Sequence, residues 1–219
     1  MGHQNNFLIS LRDCILTSNK RGLAQLLSQE RMLYNDTKLS SAKMNECLIR
    51  IHYAKMNNQN SEVSKYGKMI WSYIIKQDHW YHYDVFLFNN AIFAFTEDQV
   101  FLFSKKFLSK LPHFKKNIKT HYEGVLMYLN LIIFFLDKNE QNLSKLFIDE
   151  ASNLVGNSEY FYEMNKLNFL KGIWEIKFAD YENGLSVANS AIDLLNHFQQ
   201  TKSACAHKLF LEEVLNSRK

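Results

Sequence analysis

The sequence predicts an all-α fold, a right-handed superhelix (solenoid) built from consecutive antiparallel helix pairs. Three observations carry this. The 219 residues include only seven glycines and one proline, too little turn punctuation for a β-rich or α/β chain. Long segments repeat apolar residues at helical spacing. The polar breaks between them are short, so sequence neighbours pack antiparallel and no linker separates domains. Residues 1–219 therefore read as a single domain with a substantial core.

The elements follow in order. Phe7 to Thr17 carries Leu8, Leu11, Ile15 and Leu16 on one face, and Arg21 to Leu33 repeats the pattern with Leu23, Leu26, Leu27 and Leu33. Residues 37–57 open on Thr37 as a cap and run through Met44, Leu48, Ile51 and Ala54. The polar tract Asn57 to Asn60 ends that helix, and Ser61 with Glu62 starts another that reaches Lys76. His79 to Pro112 reads as two apolar helices joined at Thr96-Glu97-Asp98. Thr96 caps the second of them, and the two acids complement its N-terminal dipole. Pro112 lies just beyond that helix, where it stops a helix without breaking one. Helices near residues 120–136, 139–154, 158–178, 181–197 and 201–215 complete a set of about eleven.

Composition excludes several functions. The net charge of +4 is mild and the lysines are scattered. The densest basic stretch, Lys105-Lys106 to Lys115-Lys116-Lys119, reads as solvated surface around a helix end rather than a nucleic-acid patch. Cys14, Cys47 and Cys205 are isolated in apolar helical surroundings, as in reduced core cysteines of a cytoplasmic protein. Asn5, Asn6, Arg12 and Asp13 interrupt any signal sequence, and Asn6 breaks the myristoylation pattern. The most apolar stretch, Tyr128 to Leu136, falls far short of the roughly 20 residues of a membrane span, so no membrane association is expected. His79 and His82, beside Asp78 and Asp84, lack a second cluster to complete a metal shell, and packing is the better reading. Adjacent acids at Asp149-Glu150 and Glu212-Glu213 point to different helix sides and cannot share a proton. With no phosphate loop, nucleophile elbow or Cys-His-Asp pattern, neither an enzyme nor a cofactor is expected.

Ala179-Asp180-Tyr181-Glu182, followed by Gly184, Ala188 and Ala191-Ile192, resembles the turn and second helix of a tetratricopeptide repeat. Gly172 then falls at the small first-helix position. The same frame puts Pro112 at a repeat's closing proline and Phe88, a departure, at the tight-packing position. Ser144, Ile148 and Ala151 take the second-helix contacts of a middle unit. Spacing is 44 residues from Phe88 to Ile132 and 40 from Ile132 to Gly172, against a usual period of about 34, so the repeats are degenerate.

First helices line the concave side of such a solenoid. Positions on that face are His82, Val85, Asn89 and Ile92, then Leu129 and Ile133 with Asn130 at the edge, then Lys166, Phe169, Ile173 and Ile176. The groove is largely apolar and suits a short, hydrophobic, extended peptide. Packing is the competing reading for each apolar residue. Asn89 and Asn90 favour binding, because a buried carboxamide needs a partner and can serve a peptide main chain as both donor and acceptor.

Trp80-Tyr81-His82-Tyr83-Asp84, followed by Leu87-Phe88-Asn89-Asn90, resembles the W-x-x-Y-acidic and L-F-x-N segment of Rgg/MutR-type transcriptional regulators. From about residue 7 onward the helix order is similar to their C-terminal domain. The resemblance implies a cytoplasmic, homodimeric regulatory domain that binds a small peptide pheromone in its concave groove. Asn89 is then the leading peptide-contacting side chain. Family members carry a helix-turn-helix domain ahead of this region, whereas the first 35 residues here show only two amphipathic helices. By itself this chain is expected not to bind operator DNA. The last helix, with Lys208, Glu212 and Glu213 beside Leu209, Phe210 and Leu215, is either dimer surface or the solenoid's end cap. The alternative function is a tetratricopeptide-like module for a folded protein partner.

Overall fold

The computed structural model describes residues 2–77, 82–114, 118–155 and 160–217, with side chains over 6–77, 82–107, 122–155 and 160–217. Among these residues the fold is all-α: α1 (Gly2–Leu16), α2 (Lys20–Thr37), α3 (Ser40–Met56), α4 (Asn60–Ile74), α5 (His82–Ala91), a 3-10 turn (Ile92–Ala94), α6 (Glu97–Phe114), α7 (Ile118–Asp137), α8 (Gln141–Val155), α9 (Phe161–Phe178), α10 (Tyr181–His197) and α11 (Thr201–Asn216). The chain forms two compact units, Met1–Ser109 and Lys110–Lys219.

Glycine is scarce because other residues make the turns. Ser18, Lys38, Asn58, Asn139 and Gln199 all take φ of 51–58°, each just past a helix end. This is the left-handed position that glycine usually fills.

In the first unit α3 is central, with Ala42, Met44, Leu48, Ile49, Ile51 and Ala54 buried between α2 on one side and α4 and α5 on the other. Gly67 lets α4 approach the 3-10 turn, since a Cβ there would sit 2.8 Å from the Ala94 carbonyl oxygen. Phe88 is fully buried and stacks on Phe103 of α6 with ring centroids 3.5 Å apart, while Phe95 packs beside it at 5.6 Å. A ring thus fills the place where the repeat frame wants a small residue.

In the second unit α7 is buried almost all round, through Val125, Met127, Leu129, Leu131, Ile132 and Phe135. Phe135 stacks on Phe147 of α8 at 5.5 Å. The α9–α10 hairpin is the tightest contact of the unit. Asp180 caps α10 by accepting from the Asn183 N–H at 3.0 Å, and Ser144, Ile148 and Ala151 of α8 are buried as the repeat frame expects.

Five expectations need correction. Thr37 does not cap α3. It ends α2, where its hydroxyl donates to the Leu33 carbonyl at 2.6 Å, and Leu39 takes the N-cap position without a side-chain bond. A hydroxyl one turn from its own helix's last carbonyls satisfies those first. Pro112 lies within α6, which runs two residues past it to Phe114. The helix before Thr96 is α5 followed by a 3-10 turn, because Phe95 turns to extended backbone at φ −98° and ψ 156°. Of the three cysteines only Cys14 and Cys47 are buried, while Cys205 is exposed on α11. On α1, likewise, the buried stripe is Phe7, Leu11 and Cys14, with Leu16 outside it at 66 % exposure. Thr96 does cap α6, with its hydroxyl 3.3 Å from the Gln99 N–H while the Gln99 carboxamide accepts from the Thr96 N–H at 2.9 Å.

Candidate functional site

The first unit presents its part of the candidate face on α5. Val85 is 1 % exposed and Ile92 9 %, so both belong to the core. Asn89 is half-buried and His82 is exposed. A buried polar set holds this short helix in place. The Tyr83 hydroxyl lies 2.8 Å from the Ser41 carbonyl oxygen and 2.9 Å from Asn45 Oδ1. Asn45 Nδ2 in turn donates to Glu30 Oε2 at 3.0 Å, linking α5 to α3 and α2. Asn45, Glu30 and Asp84 are each no more than 3 % exposed.

Beside it, Glu46 accepts from Arg31, Lys43 and Arg50 at 3.1, 2.8 and 2.9 Å. Burial raises the pKa of this carboxyl, but the three cations outweigh it and hold the group below the usual carboxylate range. His52 of α3 bonds the Asn90 backbone through one ring nitrogen, while its Nε2 is buried without a partner. Burial, reinforced by Lys55, pushes its pKa down to about 4, so the ring is neutral.

The L-F-x-N pattern puts its asparagine at Asn90 rather than Asn89. Asn90 Nδ2 donates to the Phe86 carbonyl at 2.9 Å within its own helix. Trp80, Tyr81, His79 and Asp78 lie outside the described residues. Among those described, no three His, Cys, Asp or Glu side chains gather as a metal site requires.

In the second unit Leu129 is buried, while Asn130 and Ile133 are half-buried on α7. On α9, Phe169, Ile173 and Ile176 are at most 2 % exposed and Lys166 is half-buried. Phe169 packs its ring 4.4 Å from the His207 imidazole of α11. Glu163, one turn before Lys166, accepts from the Tyr122 hydroxyl at 3.0 Å, and Asn165 Nδ2 donates to the Ala191 carbonyl at 2.9 Å. Burial depresses the pKa of Lys166, with Glu163 partly restoring it.

Six of the eleven candidates, Val85, Ile92, Leu129, Phe169, Ile173 and Ile176, are therefore walls of their own units. Asn89, Asn130, Ile133 and Lys166 border solvent, and His82 stands in it. Sequence reasoning missed Tyr83, Asn45, Glu30, Glu163 and His207. The available signal was polar side chains embedded at helical spacing among apolar ones, which marks buried networks. Cavities lie elsewhere. One of about 330 Å³ opens between α2, α3 and α4 over Leu23, Leu27 and Ile49, with Arg50 and Tyr66 at its rim.

Residues 24–208 match the family described as HTH-type transcriptional regulator Rgg, C-terminal domain. This chain belongs to that family. Solved structures share the Rgg-type fold. A protein from Listeria monocytogenes EGD-e described as a transcriptional regulator superposes with a TM-score of 0.82 at 19 % identity, over 97 % of this chain and 73 % of its own. Streptococcus dysgalactiae Rgg2, an SHP pheromone receptor, gives 0.73 at 15 % identity, over 96 % and 76 %. RopB gives 0.68 at 16 %, over 99 % and 95 %. No curated protein matches the sequence.

Proposed function

We propose that this Rgg C-terminal domain is a sensor that binds a short apolar peptide, through the exposed face of α5 in the first unit or through those of α7 and α9 in the second. One observation carries the reading: on each of these helices a half-buried polar side chain, Asn89, Asn130 or Lys166, borders buried apolar residues of the same face. Apolar walls give affinity without side-chain specificity, and polar groups set at intervals register an extended main chain. The pheromone receptor of the same fold supports a peptide as the class of ligand. No helix among the described residues is long and apolar enough to cross a membrane, in keeping with a cytoplasmic setting. Such a domain acts as a homodimer, and the peptide's effect reaches DNA through a helix-turn-helix domain. Peptide binding shifts control only if the peptide favours one of two conformations.

The test is calorimetric titration of the chain with short apolar peptides, beginning with those encoded by small reading frames beside its gene. Saturable one-to-one binding at micromolar affinity or better, weakened in Asn89→Ala or in Asn130→Ala, supports the sensor and says which unit holds the peptide. A folded chain that binds none of them contradicts it.

A folded-protein partner is the second reading, favoured by Phe161 and Phe198. Each is 53 % exposed, and their rings meet at 5.4 Å in an aromatic edge on the second unit.

A further inference from the structure

The cavity of about 330 Å³ between α2, α3 and α4 lies wholly within the first unit, and the candidate peptide face makes no use of it. Leu23, Ile49 and Ala54 line it and are buried, with Leu27 half-buried beside them. Its volume falls at the small end of the range for small-molecule pockets, about 300–1,000 Å³.

Arg50 is the cation in the lining, and its guanidinium is held on two sides. Nε and Nη2 both donate to Glu46 Oε1, at 3.0 and 2.9 Å, and the guanidinium carbon lies 5.1 Å from the centre of the Tyr66 ring. The Nε–Nη2 edge is thereby taken. The Nη1–Nη2 edge meets no acceptor among the described residues, and the side chain keeps 22 % of its surface exposed. Nor does Glu46 cancel the charge of Arg50, because it also serves Arg31 and Lys43, so three cations surround one carboxylate. Glu62, the acid in the lining, is 41 % exposed and pairs with Lys65 at 3.3 Å.

These features select a ligand. The buried leucine and isoleucine surface calls for an apolar body, since a wholly polar ion gains nothing from it. The two parallel N–H bonds of the open Arg50 edge match the two oxygens of a carboxylate. An ammonium would meet Arg50 charge to charge, and a neutral amide would leave the excess positive charge unanswered. We propose that this cavity binds a small free carboxylic acid, its aliphatic or aryl body over Leu23 and Ile49 and its carboxylate on the open edge of Arg50. The site shares no residue with the faces of α5, α7 and α9, so it stands independently of the peptide-sensing reading.

The probe is octanoate, titrated into the intact chain by calorimetry below its micelle concentration, with octanamide as its uncharged counterpart. Octanoate should bind saturably and one to one. Octanamide should bind about ten- to a hundredfold more weakly, the difference between a charge-assisted pair and a neutral one. Ala24→Leu puts a larger side chain at the exposed lip on α2 and leaves every charged group in place, and it should abolish octanoate binding. Arg50→Gln should bring octanoate down to the affinity of octanamide without weakening octanamide itself. Circular dichroism checks that both variants are folded, and Ala24→Leu keeps the test decisive if Arg50→Gln is not. Octanoate that binds Ala24→Leu as well as the parent, or no better than octanamide, overturns the proposal, as does no binding at millimolar octanoate. The last arm is acetyl-Ala-Leu-Ala-Leu with a free C-terminus. If it binds through Arg50 and octanoate does not, the cavity holds a peptide end and the small-acid proposal falls.

Discussion

Gly172 and Gly184 meet backbone to backbone across the α9–α10 hairpin. A Cβ on Gly172 would lie 2.8 Å from the Gly184 carbonyl oxygen, and one on Gly184 would lie 2.7 Å from that of Gly172. Backbone atoms cannot swing aside as a side-chain tip can. Alanine would gain about 1 kcal/mol in helix propensity, against about 1–3 kcal/mol for forcing a packed contact apart. Gly172→Ala and Gly184→Ala should each destabilise the chain by about 1–2 kcal/mol, read as a lower urea midpoint at unchanged slope. A raised midpoint would contradict the close approach.

Gln199 ends α10 at φ 56°, where a side chain crowds its own backbone. Gln199→Gly should therefore stabilise by up to about 1 kcal/mol, with the gain in left-handed geometry exceeding the glycine entropy cost. Thermal melts check this, and a lower melting temperature would sink it.

His52, pushed down to about 4 from 6.5, gives stability a pH dependence of known sign. Above pH 6.5 both folded and unfolded chains hold a neutral ring. As pH falls toward 4 the unfolded chain takes the proton first, and stability drops by up to about 1 kcal/mol per pH unit. Burial lowers His207 in the same direction. Urea midpoints at pH 7 and pH 4.5 should differ less in His52→Gln than in the parent. Equal differences would show that His52 does not titrate in this way.

The reciprocal bonds of Thr96 and Gln99 hold the start of α6. Thr96→Ala should cost about 1 kcal/mol, and the same measurements serve. No loss would mean that water replaces the cap.

Much of the fold was legible because helical periodicity and the Asp180–Gly184 turn are local signals. The α10 span Tyr181–His197 follows from them, and so does the Thr96 cap. Thr37 was misplaced because a threonine between helices can cap the next or close the last, and only Leu39 at the N-cap decides which. The candidate face was legible as a stripe but not as a surface. Ile173 and Asn130 share its spacing, yet one is wholly buried and the other borders solvent, a difference set by which helices pack alongside. Tyr83, Asn45 and Glu30 come from three helices, so their contact has no local trace.

Amide hydrogen exchange of the chain, with and without a saturating apolar peptide, tests the central claim most directly. The peptide should slow exchange around Asn89 on α5, or around Asn130 and Lys166 on α7 and α9, and leave α1 and α2 unchanged. Protection confined to other helices, or none from any peptide, would contradict a peptide-sensing role for these faces.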